Sequence, residues 1–127
     1  MTINTLNNIL YTALKNSNDE NIKKITDIYT YLPKNAKFPY LFIEYKNIAI
    51  NNSYENDIYC VVLNLHLYDK NTSNTNILSI YNSVKNILET IENSDVIDIS
   101  INNIENKFDN NNQYFDVIIQ AQIIIKE

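Results

Sequence analysis

The amino-acid sequence predicts an α+β fold in which two helices pack on one face of a mostly antiparallel β-sheet, in the order α-β-β-β-α-β-β. Two observations lead to this prediction. In two segments, apolar residues recur every three or four positions, as in an amphipathic helix, whereas elsewhere they alternate with polar residues, as in a half-buried strand. The connections between neighbouring strands are short, which favours antiparallel pairing. The 127 residues are expected to form a single α+β domain, residues 1–127.

Both helices are predicted from apolar residues that share one face. The first is expected from about Thr2 to Asn16, with Thr2 or Asn4 as its N-cap. The second is expected from about Asn74 to Asn93 and has the clearest helical period in the sequence. The apolar positions are Leu6, Ile9, Leu10, Ala13 and Leu14 in the first helix, and Ile77, Ile80, Tyr81, Val84, Ile87, Leu88 and Ile91 in the second.

Three strands are predicted between the helices. A short turn near Ile22 is followed by a strand that ends at Pro33, and a second strand runs from Tyr40 to Ile50. After a polar connection, Asn51 to Asn56, the longest apolar strand runs from Ile58 to Tyr68. Its odd positions are all apolar and its even positions include polar residues, so one face is expected to be buried and the other half-exposed.

Two further strands are predicted after the second helix. Ile97, Ile99 and Ile101 alternate with polar residues and mark the first, and the second runs from about Phe115 to Ile125. The turn between them, Asp109 to Gln113, is rich in asparagine, which is expected to supply the left-handed backbone that glycine often adopts. The predicted core consists of Ile80, Val84, Ile87, Leu88, Leu63, Leu65, Val117, Ile119 and Ile123.

The composition excludes several classes of function. The sequence has no glycine, which phosphate-binding loops, dinucleotide-binding turns and nucleophile elbows require. All ten basic residues are lysine, the net charge is −5 and the pI is about 4.8, so stable nucleic-acid binding is not expected. The single cysteine, Cys60, excludes an internal disulfide and indicates a reducing compartment. No signal peptide or membrane span is recognisable, so no membrane partner is expected.

No group of residues in the sequence indicates catalysis, a metal or a cofactor. His66 is the single histidine, and Cys60, on the same strand face, would lie about 20 Å away. The segment Asp109–Tyr114 superficially resembles a calcium-binding loop, but it lacks the sharp-turn glycine and the final glutamate. We therefore expect a structural or partner-facing His66, a small core-side Cys60, and a protein that is not an enzyme.

The ten tyrosines favour an interface with another protein, because tyrosine combines a large apolar ring with a polar tip. One candidate surface lies on the longest strand, and the others lie in the two polar loops. We expect both loops to be mobile, with at least one ordered by a partner. The candidate interface residues are Tyr59, Asn64, His66 and Tyr68 on the strand, and Asn52, Tyr54 and Asn111 in the loops.

One stretch of sequence resembles the tail completion and tail terminator family of tailed phages. It reads Ile28-Tyr29-Thr30-Tyr31-Leu32-Pro33, a short loop, and then Phe38-Pro39-Tyr40 leading into an apolar strand. The later segment Val62–Asp69, followed by a helix, is similar to the family's central strand and long helix. In this resemblance Pro33, Phe38, Pro39 and Tyr40 are structural motif residues. The chain departs from the family at Tyr68–Asp69, where many members carry tryptophan, and in its loops without glycine.

The resemblance implies a structural assembly protein with no cofactor. Members of the family assemble into a ring, usually a hexamer, at the head-proximal end of the tail tube. The ring stops tube growth and joins the tail to the head, so the implied partners are other copies of the chain, the tail tube protein and the head connector protein. The implied location is the tail or neck of a virion or phage-like particle assembled in the bacterial cytoplasm. DNA passes through the lumen of such a ring, and an acidic chain without arginine would not hold it.

An alternative interpretation is a small acidic α+β binding or immunity-type domain that acts on one protein partner as a monomer or dimer. The oligomeric state separates the two interpretations, because a terminator closes a ring and an immunity-type domain does not. An enzyme is a third and weaker interpretation, since it would need a cluster of titratable groups that the sequence does not display.

Overall fold

A computed structural model of the chain describes residues 2–52, 57–70 and 74–126. Within these ranges the chain forms two α-helices, five strands and one short 3-10 helix at Ile22–Lys24. The helices and strands are α1 (Thr2–Lys15), β1 (Ile28–Tyr29), β2 (Tyr40–Asn52), β3 (Asp57–Asp69), α2 (Asn74–Glu89), β4 (Val96–Asp109) and β5 (Tyr114–Lys126). The α+β class and the predicted order of elements are therefore confirmed.

The strands form one sheet in the order β1-β2-β3-β5-β4. β1 is parallel to β2 and pairs with it only at Leu41 and Phe42. The other neighbouring strands are antiparallel. β5 lies between β3 and β4, so it joins the hairpin β2–β3 to the hairpin β4–β5 and completes the middle of the sheet.

The two helices cover one face of this sheet. Because positions i and i+4 share a helix face and alternate positions share a strand face, the predicted periods place the apolar side chains together. Each fully buried leucine or isoleucine contributes about 1.5–3 kcal/mol relative to an exposed one. The buried cluster includes Leu6, Leu10 and Leu14 of α1, Ile77, Ile80, Val84 and Leu88 of α2, and Leu41, Ile43, Val61, Leu63, Leu65, Leu67, Val117, Ile119, Ala121, Ile123 and Ile125 of the strands.

The predicted core is almost entirely correct. Of the nine residues predicted to form it, eight are buried, and Ile87 is partly buried against the others. α2 ends at Glu89, four residues before the predicted end. The Thr90 hydroxyl donates a hydrogen bond to the Asn86 carbonyl at 2.9 Å, and Ile91 packs on the core from the turn that follows. The predicted helix end is wrong because Ile91 fits the helical period of apolar residues although it lies in the turn after the helix.

Two strand predictions need correction. The strand predicted to end at Pro33 is only two residues long, and the chain leaves the edge of β2 after Tyr29. In β4 the register shifts between Val96 and Asp98 and again between Ile101 and Asn103. Ile97 falls in the first of these bulges and is 53% exposed. A bulge inserts one extra residue into a strand, so the alternation of side chains between the two faces is interrupted at that point. Ile97 therefore does not share the buried side of Ile99 and Ile101.

Candidate functional site

The face of the sheet opposite the helices, called here the open face, carries the polar and aromatic side chains of the central strands. Along β3 the alternate residues Val61, Leu63, Leu65 and Leu67 point to the helices and are fully buried. The residues between them point to the open face and are mostly half-buried. The period of two in the sequence therefore separates an aliphatic face from a mixed one.

His66 lies at the centre of a polar cluster on the open face, which we call the histidine cluster. Its Nδ1 atom lies 3.2 Å and 3.3 Å from the two carboxylate oxygens of Asp116 on β5. Its Nε2 atom lies 3.1 Å from Oε1 of Glu44 on β2. The amide of Asn64 donates to the same Glu44 oxygen at 3.4 Å. His66 thus connects the two strands on either side of β3, and its side chain is only 12% exposed.

The pKa values in the histidine cluster favour an ionised histidine. Burial of the imidazole alone would lower its pKa, but hydrogen bonds to Asp116 and Glu44 outweigh burial and raise the pKa of His66 above its ordinary value. The hydrogen bond to His66 is in turn the main reason that the pKa of Glu44 is lowered. The Oδ1 atom of Asn64 is buried and has no hydrogen-bond partner among the described residues, which marks the one unsatisfied polar atom of the cluster.

Aromatic rings surround the histidine cluster and continue to the end of the sheet where β2 begins. His66 is stacked between Phe42 and Tyr68, with ring centroids 5.5 Å and 5.7 Å away and the Tyr68 ring tilted by only 7°. Tyr68 also contacts Tyr40 at 5.0 Å and Tyr114 at 5.4 Å. Burial raises the pKa of the Tyr40 and Tyr68 hydroxyls, so both stay neutral at physiological pH.

The motif residues Phe38, Pro39 and Tyr40 fix the start of β2 against these rings. The Phe38–Pro39 peptide bond is cis, and the Pro39 carbonyl accepts a hydrogen bond from the backbone N–H of Thr26 at 2.8 Å. The Phe38 ring lies 5.2 Å from Tyr40 and 6.0 Å from Tyr114. Pro33 is half-buried in the segment before this motif. The motif therefore contributes to packing at one end of the open face.

The structure brings together three of the predicted interface residues. Asn64, His66 and Tyr68 lie on the open face, and Tyr68 is only 8% exposed. Tyr59 lies on the opposite face, where it packs against the core, because an odd position of β3 cannot share a side with an even one. The four strand residues thus do not form one surface. Whether any of them meets a partner stays a prediction.

The predicted loop residues lie apart from this cluster. Asn111 is exposed in the turn between β4 and β5, and its N–H donates to Oδ1 of Asp109 at 2.9 Å. Asn52 ends β2 opposite Asp57, and its side chain lies outside the described residues. Tyr54 also lies outside them, together with most of the predicted Asn51–Asn56 loop. Within the described ranges Gln113, with φ of 57°, is the one non-glycine residue with positive φ, so the expected asparagine does not take this position.

Sequence reasoning missed Glu44, Asp116 and Phe42 as neighbours of His66. They come from strands 22 and 50 residues away for the two carboxylates, and local periodicity carries no information on such pairing. The prediction that Cys60 is a core-side residue is wrong. It lies at an even position of β3, half-buried on the open face and paired with Ala49 and Ile124.

The chemistry of the histidine cluster is that of a cross-strand ion pair. Both imidazole nitrogens are engaged by carboxylates, which leaves neither of them available as a base for a substrate. Among the described residues, no group of three or more histidine, cysteine, aspartate or glutamate side chains is arranged to hold a metal. Neither described helix has the length and hydropathy needed to cross a bilayer.

Comparison with known proteins gives a likeness in fold. No protein-family model matches the sequence, and no curated protein matches it significantly. Among solved structures, the chain is similar to a chain of the virion of a native gene transfer agent particle, with a TM-score of 0.75 and 7% sequence identity. The alignment covers 93% of this chain and 92% of the other. At this identity the likeness shows that the two chains share a fold.

Proposed function

We propose that this chain is a structural assembly protein of a phage or phage-derived particle and acts as a tail terminator. In this role, copies of the chain close a ring, expected to be a hexamer, at the head-proximal end of the tail tube. The ring stops tube growth and presents a surface to the head connector protein. The chain would then work in the tail or neck of the particle, without catalysis, a cofactor, a membrane or stable nucleic-acid binding.

The single observation that carries the proposal is the likeness in fold to a chain of a gene transfer agent virion, which extends over 93% of this chain. It agrees with the independent resemblance of the Phe38-Pro39-Tyr40 motif and the order of elements to the tail terminator family. The ion-paired His66 suits a structural role better than a catalytic one, and the acidic composition without arginine suits a ring through which DNA passes without being held. Fold alone does not determine function, so the assembly itself must be tested.

The decisive experiment is capping of the tail tube. The purified chain would be added to polymerising tail-tube protein from the same particle, and the tubes would be examined by negative-stain electron microscopy. We expect added chain to fix the tube length and to appear as a ring at one end only. A matched reaction with Val84→Asp, which is expected to destabilise the fold strongly, would show whether the effect needs the stably folded protein.

The opposite result would favour a small binding domain. If tubes grow identically with and without the chain, and no ring appears at any protein concentration or on any tube end, the terminator proposal is wrong. Mass measurement in solution then distinguishes the remaining cases, because an immunity-type domain would stay a monomer or dimer and bind a single protein partner.

A further inference from the structure

The exposed apolar side chains of the described residues lie along the two side edges of the molecule. Eight large apolar residues are exposed. Four lie along β1, the outer edge of β2 and the adjacent side of α1, which we call the β2 flank. Four lie along β4 and the adjacent side of α2, which we call the β4 flank. The β2 flank contains Tyr11, Tyr31, Leu32 and Ile50, and the β4 flank contains Leu78, Ile97, Ile104 and Phe108.

Contacts of α1 place Tyr11 on the β2 flank. One turn before Tyr11, Asn7 accepts a hydrogen bond from the Tyr45 hydroxyl on β2. One turn after it, Lys15 pairs with Asp27, next to β1, at 3.4 Å. Positions i, i+4 and i+8 lie on one side of a helix, so this side of α1 faces the edge formed by β1 and β2. Tyr31 follows β1 directly, with its ring 5.7 Å from that of Tyr29.

The opposite side of the molecule is formed by β4 and the far side of α2. Ser83 of α2 accepts a hydrogen bond from Asn21 at 3.3 Å, so this side of the helix faces the 3-10 turn and α1. Leu78, five residues earlier, lies about 140° around the helix, on the side away from α1. Ile104 and Phe108 pair with Ile119 and Phe115 on the helix-covered face of the sheet, and they are 40% and 41% exposed.

The two chain segments that contain the flanks carry opposite net charge. Residues 11–50, which span the β2 flank, contain six lysines and four carboxylates. Residues 78–109, which span the β4 flank, contain two lysines and six carboxylates. Because the whole chain has a net charge of −5, a net positive segment shows that charge is distributed unevenly along the chain. Complementary charge of this kind steers two surfaces toward each other and disfavours contact of either surface with itself.

The strand directions suit contact between the same two flanks. β2, β3, β5 and β4 are antiparallel in succession, so β2 and β4 run in opposite directions. β1 pairs with only two residues of β2, and no other described strand pairs with the outer edge of β2 or of β4. Rotating a second copy about an axis along the strands therefore brings its β2 next to β4 as an antiparallel neighbour.

We propose that the β4 flank of one copy binds the β2 flank of the next, with β4 and β2 side by side, so that copies of the chain join head to tail. Two different patches on each copy make a heterologous contact, which closes into a ring when the rotation allows. The inference rests on the proposed function, for which it supplies the contact surface. It places self-association on the two flanks, and it leaves the histidine cluster outside that contact.

The test uses one variant for each flank. Ile97→Lys with Ile104→Lys adds positive charge to the β4 flank, and Tyr31→Glu with Ile50→Glu adds negative charge to the β2 flank. Thr12→Glu and Asn86→Lys, at exposed positions of α1 and α2 outside both flanks, are matched controls. Circular dichroism melts would verify that each variant folds. The readouts are sedimentation velocity over a range of concentrations and ring formation on tube ends.

We expect each flank variant alone to raise the apparent dissociation constant of self-association by about 100-fold, and the controls to leave it unchanged. A mixture of the two flank variants should regain association with one-to-one composition, because the unaltered β4 flank of one fits the unaltered β2 flank of the other. Native mass spectrometry would read this composition.

Three results would overturn the inference. Rings that form equally well from both flank variants would place the contact elsewhere and leave the terminator proposal standing. A dimer that persists in the β2-flank variant alone and disappears in the β4-flank variant would indicate symmetric pairing of β4 with β4. If the unaltered chain forms no oligomer in solution or on tube ends, both the inference and the proposed function are wrong.

Discussion

The two faces of the sheet are built from the same strands but are stabilised by different interactions. On the helix-covered face, Leu63 and Leu65 of β3 are fully buried among other aliphatic side chains. On the open face, the alternating residues Asn64 and His66 of the same strand are half-buried and held by Glu44 and Asp116. The first face is stabilised by burial, which needs no particular partner, and the second by ion pairs and stacked rings, which need particular partners. Substitutions on the two faces should therefore differ in size and in their dependence on pH.

The largest effect is expected from placing a charge in the helix-covered face. Val84→Asp buries a carboxylate without a partner between α2 and the sheet, because Val84 is 0% exposed. We expect it to reduce the free energy of unfolding by about 4 kcal/mol or more, measured by urea denaturation. Asn86→Asp on the exposed side of the same helix is the control and should change it little. Equal stabilities of the two variants would contradict the assigned helix face.

Two aliphatic truncations on one strand compare the faces directly. Leu65→Ala leaves a cavity in the core and should cost about 2–5 kcal/mol. Val62→Ala, on the half-buried open face three residues earlier, should cost about 1 kcal/mol, since solvent or neighbouring side chains fill the space. Urea denaturation of both variants measures the difference. Similar losses would mean that the open face is as tightly covered as the core.

A smaller effect with a distinct pH profile is expected for His66→Gln. Removing the cation leaves Glu44 and Asp116 without their partner, at a cost of about 1–3 kcal/mol. The raised pKa of His66 adds stability that is complete below the ordinary value of 6.5 and is lost as the pH rises through the raised pKa. The lowered pKa of Glu44 adds stability that is present above 4.5 and is lost as the pH falls through the lowered pKa.

The contribution of the histidine cluster is therefore greatest between these two ordinary pKa values. Free energies of unfolding at about pH 5.5 and about pH 8.5 would test this, with the wild type more stable relative to His66→Gln at the lower pH. NMR titration of the imidazole gives the pKa itself. A His66 that titrates below its ordinary value, or a pH profile that the substitution leaves unchanged, would refute the ion-pair assignment.

Tyr45→Phe tests a polar contact between α1 and β2 on the helix-covered face. The substitution removes the hydroxyl that donates to Asn7 and should cost about 1 kcal/mol. Burial raises the pKa of Tyr45 to about 12, so the variant should also lose one phenol from the most alkaline part of an ultraviolet titration. In the Asn7→Ala background the substitution should cost less, because its partner is already absent.

The smallest effect is expected at the surface. Lys85 and Glu89 form an i,i+4 ion pair on α2 at 3.2 Å, with both side chains substantially exposed. Lys85→Gln should change the free energy of unfolding by about 0.3–0.5 kcal/mol at low salt and less at high salt. A loss of stability as large as that of His66→Gln would show that the difference in solvent exposure does not determine how much each ion pair stabilises the protein.

The helix-covered face was predictable from the sequence because its residues follow local periods. Leu63, Leu65, Val117 and Ile119 each belong to an alternating run, and alternation alone places them on one side of a strand. The errors occur where local periods fail. The bulge at Ile97 shifts the register of β4 by one residue. The position of the bulge is set by pairing with β5, which the local sequence of β4 does not reveal.

The open face was not predictable in the same way. The sequence identifies His66 as a candidate interface residue, but the partners of His66 depend on which strands lie beside β3, and the sequence does not state this order. Nothing in the local sequence distinguishes Glu44 and Asp116 from other charged residues. They meet His66 only because β2 and β5 lie on either side of β3. The prediction that Tyr59 shares a surface with His66 fails because seven positions separate them, an odd number that puts the two residues on opposite faces of the strand.

The position of β5 between β3 and β4 also determines when the core can close during folding. The hairpins β2–β3 and β4–β5 are built from local contacts. The pairing of β3 with β5 joins Ile58 to Lys126 across the whole of α2, so its loop-closure entropy is larger and it forms late. During synthesis the hairpin β2–β3 therefore keeps the β3 edge that pairs with β5 unpaired until β5 has left the ribosome. An unpaired strand edge can template pairing with another chain, so we expect a chaperone to protect the chain from aggregation during this interval.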